Sequence, residues 1–219
     1  GASAMYGGTV AHDNVAVGND ALYNIGKTAA AGNSVGVGNG AGKYTTGSYN
    51  TFVGSAAGQG GTTSAPYSSG QYNVAMGYEA LKGFTTGNYN IVIGNNAGDA
   101  MTTTSETVII GAGAGSAINS ADSDRTVAIG NEALRLMTSG VQNTAIGGQV
   151  GYDLTTADYV TLLGYRSGYN ITTGGHNTAL GYYTMLYNVD GTGNTAVGSQ
   201  AMKGVSGNSH TDNTAVGSS

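Results

Sequence analysis

Twelve times along this 219-residue chain a strand-like unit closes on glycine, in the order polar, β-branched, small, aliphatic, Gly. The closing residues are Gly18, Gly38, Gly54, Gly77, Gly94, Gly111, Gly130, Gly147, Gly164, Gly181, Gly198 and Gly217. Their successive spacings are 20, 16, 23, 17, 17, 19, 17, 17, 17, 17 and 19, so the base period is 17 residues. The residue just before each glycine is aliphatic throughout, from Val17 and Val37 through Met76, Ile93 and Leu163 to Val216. Three before it stand only Val, Ile or Thr, which are stiff at χ1 and suited to a pleated surface. Two such columns, one residue apart, predict a strand. The position four before is most often Asn, expected to bond its own backbone in a turn and to tolerate the left-handed region. Glycine supplies a positive φ at the other corner.

A unit of 17 residues is too short for a helix pair or a propeller blade. It predicts one lap of a solenoid, with parallel strands stacked between laps. The expected fold is therefore all-β: a parallel β-solenoid of about twelve 17-residue coils, each rising about 4.8 Å. It forms a single repeat domain over 1–219, with 1–10 as an N-terminal edge or tag-derived segment and 59–72 as an inserted loop. A second small column follows three residues after the glycine, at Ala21, Ala41, Ala57, Ala80, Ala97, Ala114, Ala133 and Ala201, and opens another segment of each lap. Loops such as Thr45-Thr46-Gly47, Thr85-Thr86-Gly87 and Thr172-Thr173-Gly174 return the chain.

Period two puts the residues one and three before the glycine on one face and the residue between them on the other. With the two aliphatic columns assigned to the core, the other face should be solvated. Yet it reads Ala16, Gly36, Phe52, Ala75, Val92, Ile109, Ala128, Ala145, Leu162, Ala179, Ala196 and Ala215. Two buried aliphatic side chains per lap are few against the entropy of ordering the whole lap. The middle column is accordingly expected to meet another copy of the chain in a homo-oligomer. The alternative is a monomer whose alanine face packs inside a wider coil.

Composition excludes several functions. Only 9% of residues are charged, with 7 Lys+Arg against 12 Asp+Glu, so no basic stripe is available to neutralise phosphates and no nucleic-acid partner is expected. No apolar run reaches the length of a membrane span, so direct membrane insertion is not expected either. There is no Cys, hence no disulfide or thiolate chemistry. His12, His176 and His210 share no metal-ligand spacing, and Glu79, Glu106 and Glu132 fall in different laps. The chain is read as no enzyme and as carrying no cofactor. Asp122 and Asp124, and Asp190 in a separate turn, are weak calcium candidates, because clustered oxygens suit that ion; solvated turns are the plainer reading.

Tyrosine accounts for 15 of the 17 aromatic residues. Tyr49, Tyr72, Tyr89 and Tyr159 lie five before their glycines, and Tyr78, Tyr165 and Tyr182 lie one after. On stacked laps these form ladders spaced about 5 Å apart. They are candidate ligand-binding residues, a platform for a sugar or a protein, with a stabilising stack or subunit contact as the alternative. The longest spacing carries Pro66 and Tyr67 in an insertion, and solenoid insertions often map to a binding face, which makes it a candidate recognition loop.

Asn14-Val15-Ala16-Val17-Gly18, Ser34-Val35-Gly36-Val37-Gly38 and Thr126-Val127-Ala128-Ile129-Gly130 closely resemble the head repeats of YadA-like trimeric autotransporter adhesins. The Asn-Thr-Ala-Val/Ile-Gly units at 143–147, 194–198 and 213–217 are similar to repeats of phage tail-fibre proteins. The resemblance covers nearly the whole chain, although the family's unit is usually shorter. It implies a left-handed β-roll, a homotrimer of side-by-side chains, and binding to a host surface glycan or protein. It also implies an extracellular location, on a cell surface or a virion tail. Two other functions remain open at this stage. A solenoid end can stack on the next molecule to make a filament scaffold, and the column Thr144, Thr161, Thr178, Thr195 and Thr214 could template ice.

Overall fold

The computed structural model describes residues 1–7, 10–27 and 31–218, with the backbone alone at Asp122. In chain order the strands are β1 (Ala11–His12), β2 (Val15–Val17), β3 (Ala31–Gly32), β4 (Val35–Val37), β5 (Thr51–Val53), β6 (Val74–Met76) and β7 (Ile91–Ile93). They continue as β8 (Val108–Ile110), β9 (Val127–Ile129), β10 (Thr144–Ile146), β11 (Thr161–Leu163), β12 (Thr178–Leu180), β13 (Thr195–Val197) and β14 (Thr214–Val216). Twelve of them form one parallel sheet whose order follows the chain from β2 to β14, while β1 pairs with β3 separately. Register is kept from lap to lap, so that Thr144, Thr161, Thr178 and Thr195 pair in succession. The only helical turn among the described residues, at Ala121–Ser123, lies in the longer lap between Gly111 and Gly130. The fold is a parallel β-solenoid of about twelve coils.

Which side of the strand faces inward differs from the expectation. Val92 and Leu162, in the middle of β7 and β11, are 0% exposed, whereas their neighbours Ile91 and Leu163 are 41% and 45% exposed. The same holds along the sheet, where Phe52, Ala75, Ile109, Ala128, Ala145, Ala179 and Ala196 are all buried. The columns one and three before the glycine therefore point out of the solenoid, and the middle column points in. This overturns both the assignment of those columns to the core and the placing of a subunit interface on the middle column. The shortness of the lap is the cause: it encloses so narrow a space that the strand contributes a small residue to it.

The core is completed by columns that period two does not reveal. One lap buries Ala75, then Ala80, Leu81 and Phe84 three, four and seven residues after Gly77. Met101, Ile118, Met137, Leu154 and Ile171 repeat the seven-after position in later laps. With up to four inward side chains in a lap, in place of two, the shortfall from which a covering chain had been inferred is smaller.

Sizes within a lap are matched at positions six residues apart. Ala75 is paired with Leu81, Ala128 with Leu134 and Ala179 with Met185, while the larger Phe52, Val92, Ile109 and Leu162 are paired with Gly58, Gly98, Gly115 and Gly168. Where both positions are small, adjacent laps fill the space. A Cβ on Gly151, which shares its lap with Ala145, would lie 2.8 Å from a Leu134 methyl and 3.0 Å from a Leu162 methyl. Close packing of this kind leaves little room for volume changes.

Each lap turns at fixed corners. The closing glycine is required twice over: Gly77 has φ +132°, and a Cβ there would come within 2.6 Å of the Gly94 carbonyl oxygen. Left-handed backbone also recurs at the residue five before the glycine, as in Tyr49 (φ 61°), and at Glu79 (φ 55°) and Leu81 (φ 53°) after it. Asn, four before, is not itself the left-handed residue. Its buried side chain instead bonds the next lap. Asn73 Oδ1 accepts from the Asn90 backbone N–H at 3.0 Å and from Asn90 Nδ2 at 3.0 Å, and Asn73 Nδ2 donates to the Gly87 carbonyl at 2.9 Å. The pattern recurs at Asn50, Asn90, Asn143, Asn177 and Asn194. Such satisfaction of corner polar groups is what allows asparagine inside the wall of the solenoid.

Residues 1–7 repeat the arc of the lap above them. Met5 N–H donates to Ala21 O at 3.0 Å and Gly7 N–H to Tyr23 O at 2.7 Å. The inserted segment is tied down at both ends, with Gly61 N–H on Phe84 O at 2.8 Å and Ser69 N–H on Thr85 O at 2.8 Å. Between these anchors residues 63–66, with the cis Ala65-Pro66 bond, are exposed, while Ser68 is buried and its N–H donates to Tyr44 O at 3.1 Å.

Candidate functional site

Three surfaces of the rod carry the side chains that could meet a partner. The first is the outer face of the sheet. Val15, Val17, Met76, Ile91, Ile146, Leu163, Val197 and Val216 are exposed there, on seven of the twelve strands, and half-buried Val37, Val53, Ile93, Ile110, Ile129 and Leu180 continue the column between them. Contiguous apolar surface of this extent marks an interaction surface in a soluble protein.

The second is the corner five before the glycine. Tyr49, Tyr72 and Tyr89 stack with ring centroids 4.9 Å apart and interplanar angles of 2° and 0°. Both faces of Tyr72 are covered by its neighbours, so the column presents ring edges and hydroxyls in place of open ring faces. Above it the column changes character. Arg125 Nε donates to Glu106 Oε2 at 3.0 Å, and Tyr159 stacks on His176 at 5.0 Å, well separated from the first three tyrosines.

The third surface follows the closing glycine and combines the positions one, two and five after it. Tyr165 and Tyr182, one after, stack at 5.9 Å, whereas Tyr78 in the same column has Asn95 in the next lap. The nine candidates thus fall into separate places: a triple stack, the pair Tyr165 and Tyr182, and Tyr159, Tyr78 and the loop residues Pro66 and Tyr67 apart. Tyr67 is engaged from below, its hydroxyl accepting from Lys27 Nζ at 3.0 Å while the ammonium also sits 5.0 Å over its ring.

A cluster on the third surface was not anticipated from sequence. Arg166 lies 5.4 Å from the Tyr165 ring, 5.0 Å from Tyr169 and 6.0 Å from Tyr183, within cation–π reach of all three. Tyr152 stacks on Tyr169 at 5.1 Å. Beside them burial pushes the Asp153 carboxyl above the usual aspartate value, partly offset by the Asn170 amide at 3.1 Å. The same desolvation raises the Tyr169 phenol. The positions one, two and five after the glycine bring these residues into neighbouring columns, but the two-after column is of mixed chemistry and does not single them out.

A polar ladder continues from it. Arg166 Nε donates to Gln149 Oε1 at 2.7 Å, Gln149 Nε2 to Glu132 Oε2 at 2.8 Å, and Arg135 Nη1 to Glu132 Oε1 at 2.8 Å. Farther along the rod, Lys82 Nζ donates to Glu79 Oε1 at 2.8 Å and holds that carboxyl below the usual glutamate value. Asn96 Nδ2 reaches the other Glu79 oxygen at 3.3 Å. A cleft of about 440 Å³ lies between this stretch and the inserted loop, bordered by Tyr44, Thr63, Lys82 and Asp99.

The calcium candidates are dispersed. Asp124 Oδ1 accepts from the Ser105 N–H at 2.6 Å, and the Asp190 N–H donates to Ser209 Oγ at 3.1 Å, while the Asp122 side chain lies outside the described residues. Among the described residues no three His, Asp or Glu side chains converge, and no helix is long and apolar enough to cross a membrane.

Fold and surfaces together define a β-solenoid repeat protein with one apolar and one polar-aromatic flank. No protein-family model, no curated protein and no solved structure matches the chain.

Proposed function

We propose that this chain is an extracellular structural and adhesive rod, in the manner of the adhesin head and tail-fibre repeats that it resembles. In this reading it winds left-handed, assembles as a homotrimer and is displayed on a cell surface or virion tail, where it meets a host glycan or surface protein. The observation that carries the proposal is the outward ribbon of the sheet, aliphatic in the column one before the glycine and Val, Ile or Thr in the column three before it. A rod with one long apolar side is driven to cover it, and identical copies supply a matching surface in register. The polar-aromatic side, rich in tyrosine and centred on Arg166, stays outward for recognition. Sedimentation equilibrium tests the assembly. A trimer is expected; a stable monomer at micromolar concentration sinks the proposal.

One observation favours a second function. Thr144, Thr161, Thr178, Thr195 and Thr214 stand in register on the outward face of the sheet, not in the core, so they are placed where an ice surface could meet them. Thermal hysteresis in the purified protein is the measurement that would favour ice binding over adhesion.

A further inference from the structure

The lap that begins at Gly111 breaks the third surface. At its positions one, two and five after the glycine stand Ala112, Gly113 and Ser116, all short. The laps on either side place Asn95, Asn96 and Asp99 below, and Asn131, Glu132 and Arg135 above. Between them a cleft of about 320 Å³ opens to solvent, at the small end of ligand-site volumes. In the laps nearby, the residue two after the glycine hands a hydrogen bond to the preceding lap, as Asn96 does to Glu79 and Gln149 to Glu132. At Gly113 there is no side chain to do so. Its two flanking laps are separated by two coil rises, roughly 9.6 Å, and the layer between them is entered only from above, by the Arg135 guanidinium, whose Nη1 lies 3.2 Å from where a Cβ on Gly113 would stand.

One carboxylate on the notch wall, that of Asp99, is lightly held. Asp99 Oδ1 is shielded from solvent and has no hydrogen-bond partner, while Asp99 Oδ2 receives only a long bond from Asn96 Nδ2 at 3.4 Å. We propose that the Gly113 notch holds one neutral hexose unit of a surface glycan, with the Asp99 carboxylate accepting through Oδ2 from one of its hydroxyls.

The class of ligand follows from the donors and acceptors of the walls. Asp99 can only accept, Arg135 can only donate, and the asparagine amides do both. A ring bearing several hydroxyls answers all of these at once, because each hydroxyl donates and accepts. Glu132 is neutralised by Arg135 at 2.8 Å, so the charge left in the notch is that of Asp99. It disfavours uronic and sialic acids. A divalent cation would find one carboxylate not already paired with a basic side chain, well short of the oxygen set such ions take. The glycan origin of the ligand rests on the adhesive reading; the notch itself does not.

The test is saturation-transfer difference NMR on the full chain with the methyl glycosides of glucose, galactose, mannose and N-acetylglucosamine, and with methyl glucuronide as the anionic probe. Gly113→Gln fills the layer. Its φ of 65° is close to that of Asn96 (51°) and Glu132 (54°) in the same column, and the nearest atom to the added Cβ is the Arg135 guanidinium nitrogen, at 3.2 Å, on a flexible side chain. Expected are signals from at least one neutral probe, none from the glucuronide, and binding about tenfold weaker or worse in Gly113→Gln and Asp99→Asn. No signal from any neutral probe, or signals unchanged in Gly113→Gln, would overturn the notch. So would a thermal shift produced by calcium chloride alone and abolished by Asp99→Asn. Sugar binding that survives Gly113→Gln would leave the adhesive reading standing, and a monomer in the centrifuge would sink that reading without touching the NMR result.

Discussion

Phe52 and Gly58 share one volume: a methyl group placed on Gly58 would fall within the Phe52 ring. Six residues separate them in sequence, and the lap closes so that the large side chain of one fills what the other lacks. Phe52→Ala is expected to cost about 3–5 kcal/mol through the cavity it leaves. Gly58→Leu alone overpacks the lap and costs roughly 1–3 kcal/mol or more. The double variant converts the lap to the arrangement of Ala75 with Leu81, whose φ of 53° nearly equals the 52° of Gly58. Its thermal midpoint is expected to exceed that of either single variant, and simple additivity of the two losses would refute the size-matching rule.

The asparagine corner gives a second prediction. Asn90 Oδ1 accepts from the Thr107 N–H at 3.2 Å and its hydroxyl at 2.7 Å, while Asn90 Nδ2 donates to Asn73 Oδ1 and to Thr104 O at 2.8 Å. Asn90→Ala strands several buried groups at once, at about 1–3 kcal/mol each. Hydrogen exchange should therefore accelerate in the laps around Asn90 before it changes at the ends of the rod, since coupling in a solenoid is to nearest neighbours.

A third concerns Asp153. Its folded pKa lies above the ordinary aspartate value, chiefly because burial disfavours the charge. The uncharged form is thus the one the fold prefers: its contribution to stability is present below the ordinary value and lost as pH rises through the raised one. Asp153→Asn should raise the melting temperature at about pH 7 and make little difference at about pH 3, where the wild-type carboxyl is already protonated. A variant that melts lower at both pH values would show that the carboxylate contributes something burial does not account for.

Neighbouring residues on β10 separate folding from assembly. Ala145 is wholly buried and Ile146 is 36% exposed. Ala145→Asp places an unpaired charge in the core and is expected to abolish cooperative melting. Ile146→Asp should leave the circular dichroism spectrum intact and shift sedimentation toward smaller species. If both variants unfold alike, the outward ribbon is structural and not an assembly surface.

The lap length and strand positions could be read directly, because Gly77, Gly94 and Gly111 recur at equal or nearly equal steps and the flanking columns are chemically uniform. Facing could not. Alternation says that Ile91 and Ile93 share a side and Val92 does not, yet it leaves open which side is enclosed. The deciding information sat in Leu81, Phe84 and Met101, outside the strand, where residue types vary too much to stand out as a column. The tyrosine stack at Tyr49, Tyr72 and Tyr89 was legible for the same reason as the strands. The Arg166 cluster and the Gly113 notch were not, since Glu132, Gln149, Arg166 and Tyr183 share a position and nothing else.

Strand order in the large sheet follows chain order, each strand pairing with those of the laps directly before and after it, and this has a mechanical consequence. Tension applied at the two ends along the axis loads the bonds between successive turns in series, with no distant pairing to lock them. The molecule should yield like thread leaving a spool, each rupture releasing the slack of a single turn while the remainder stays wound.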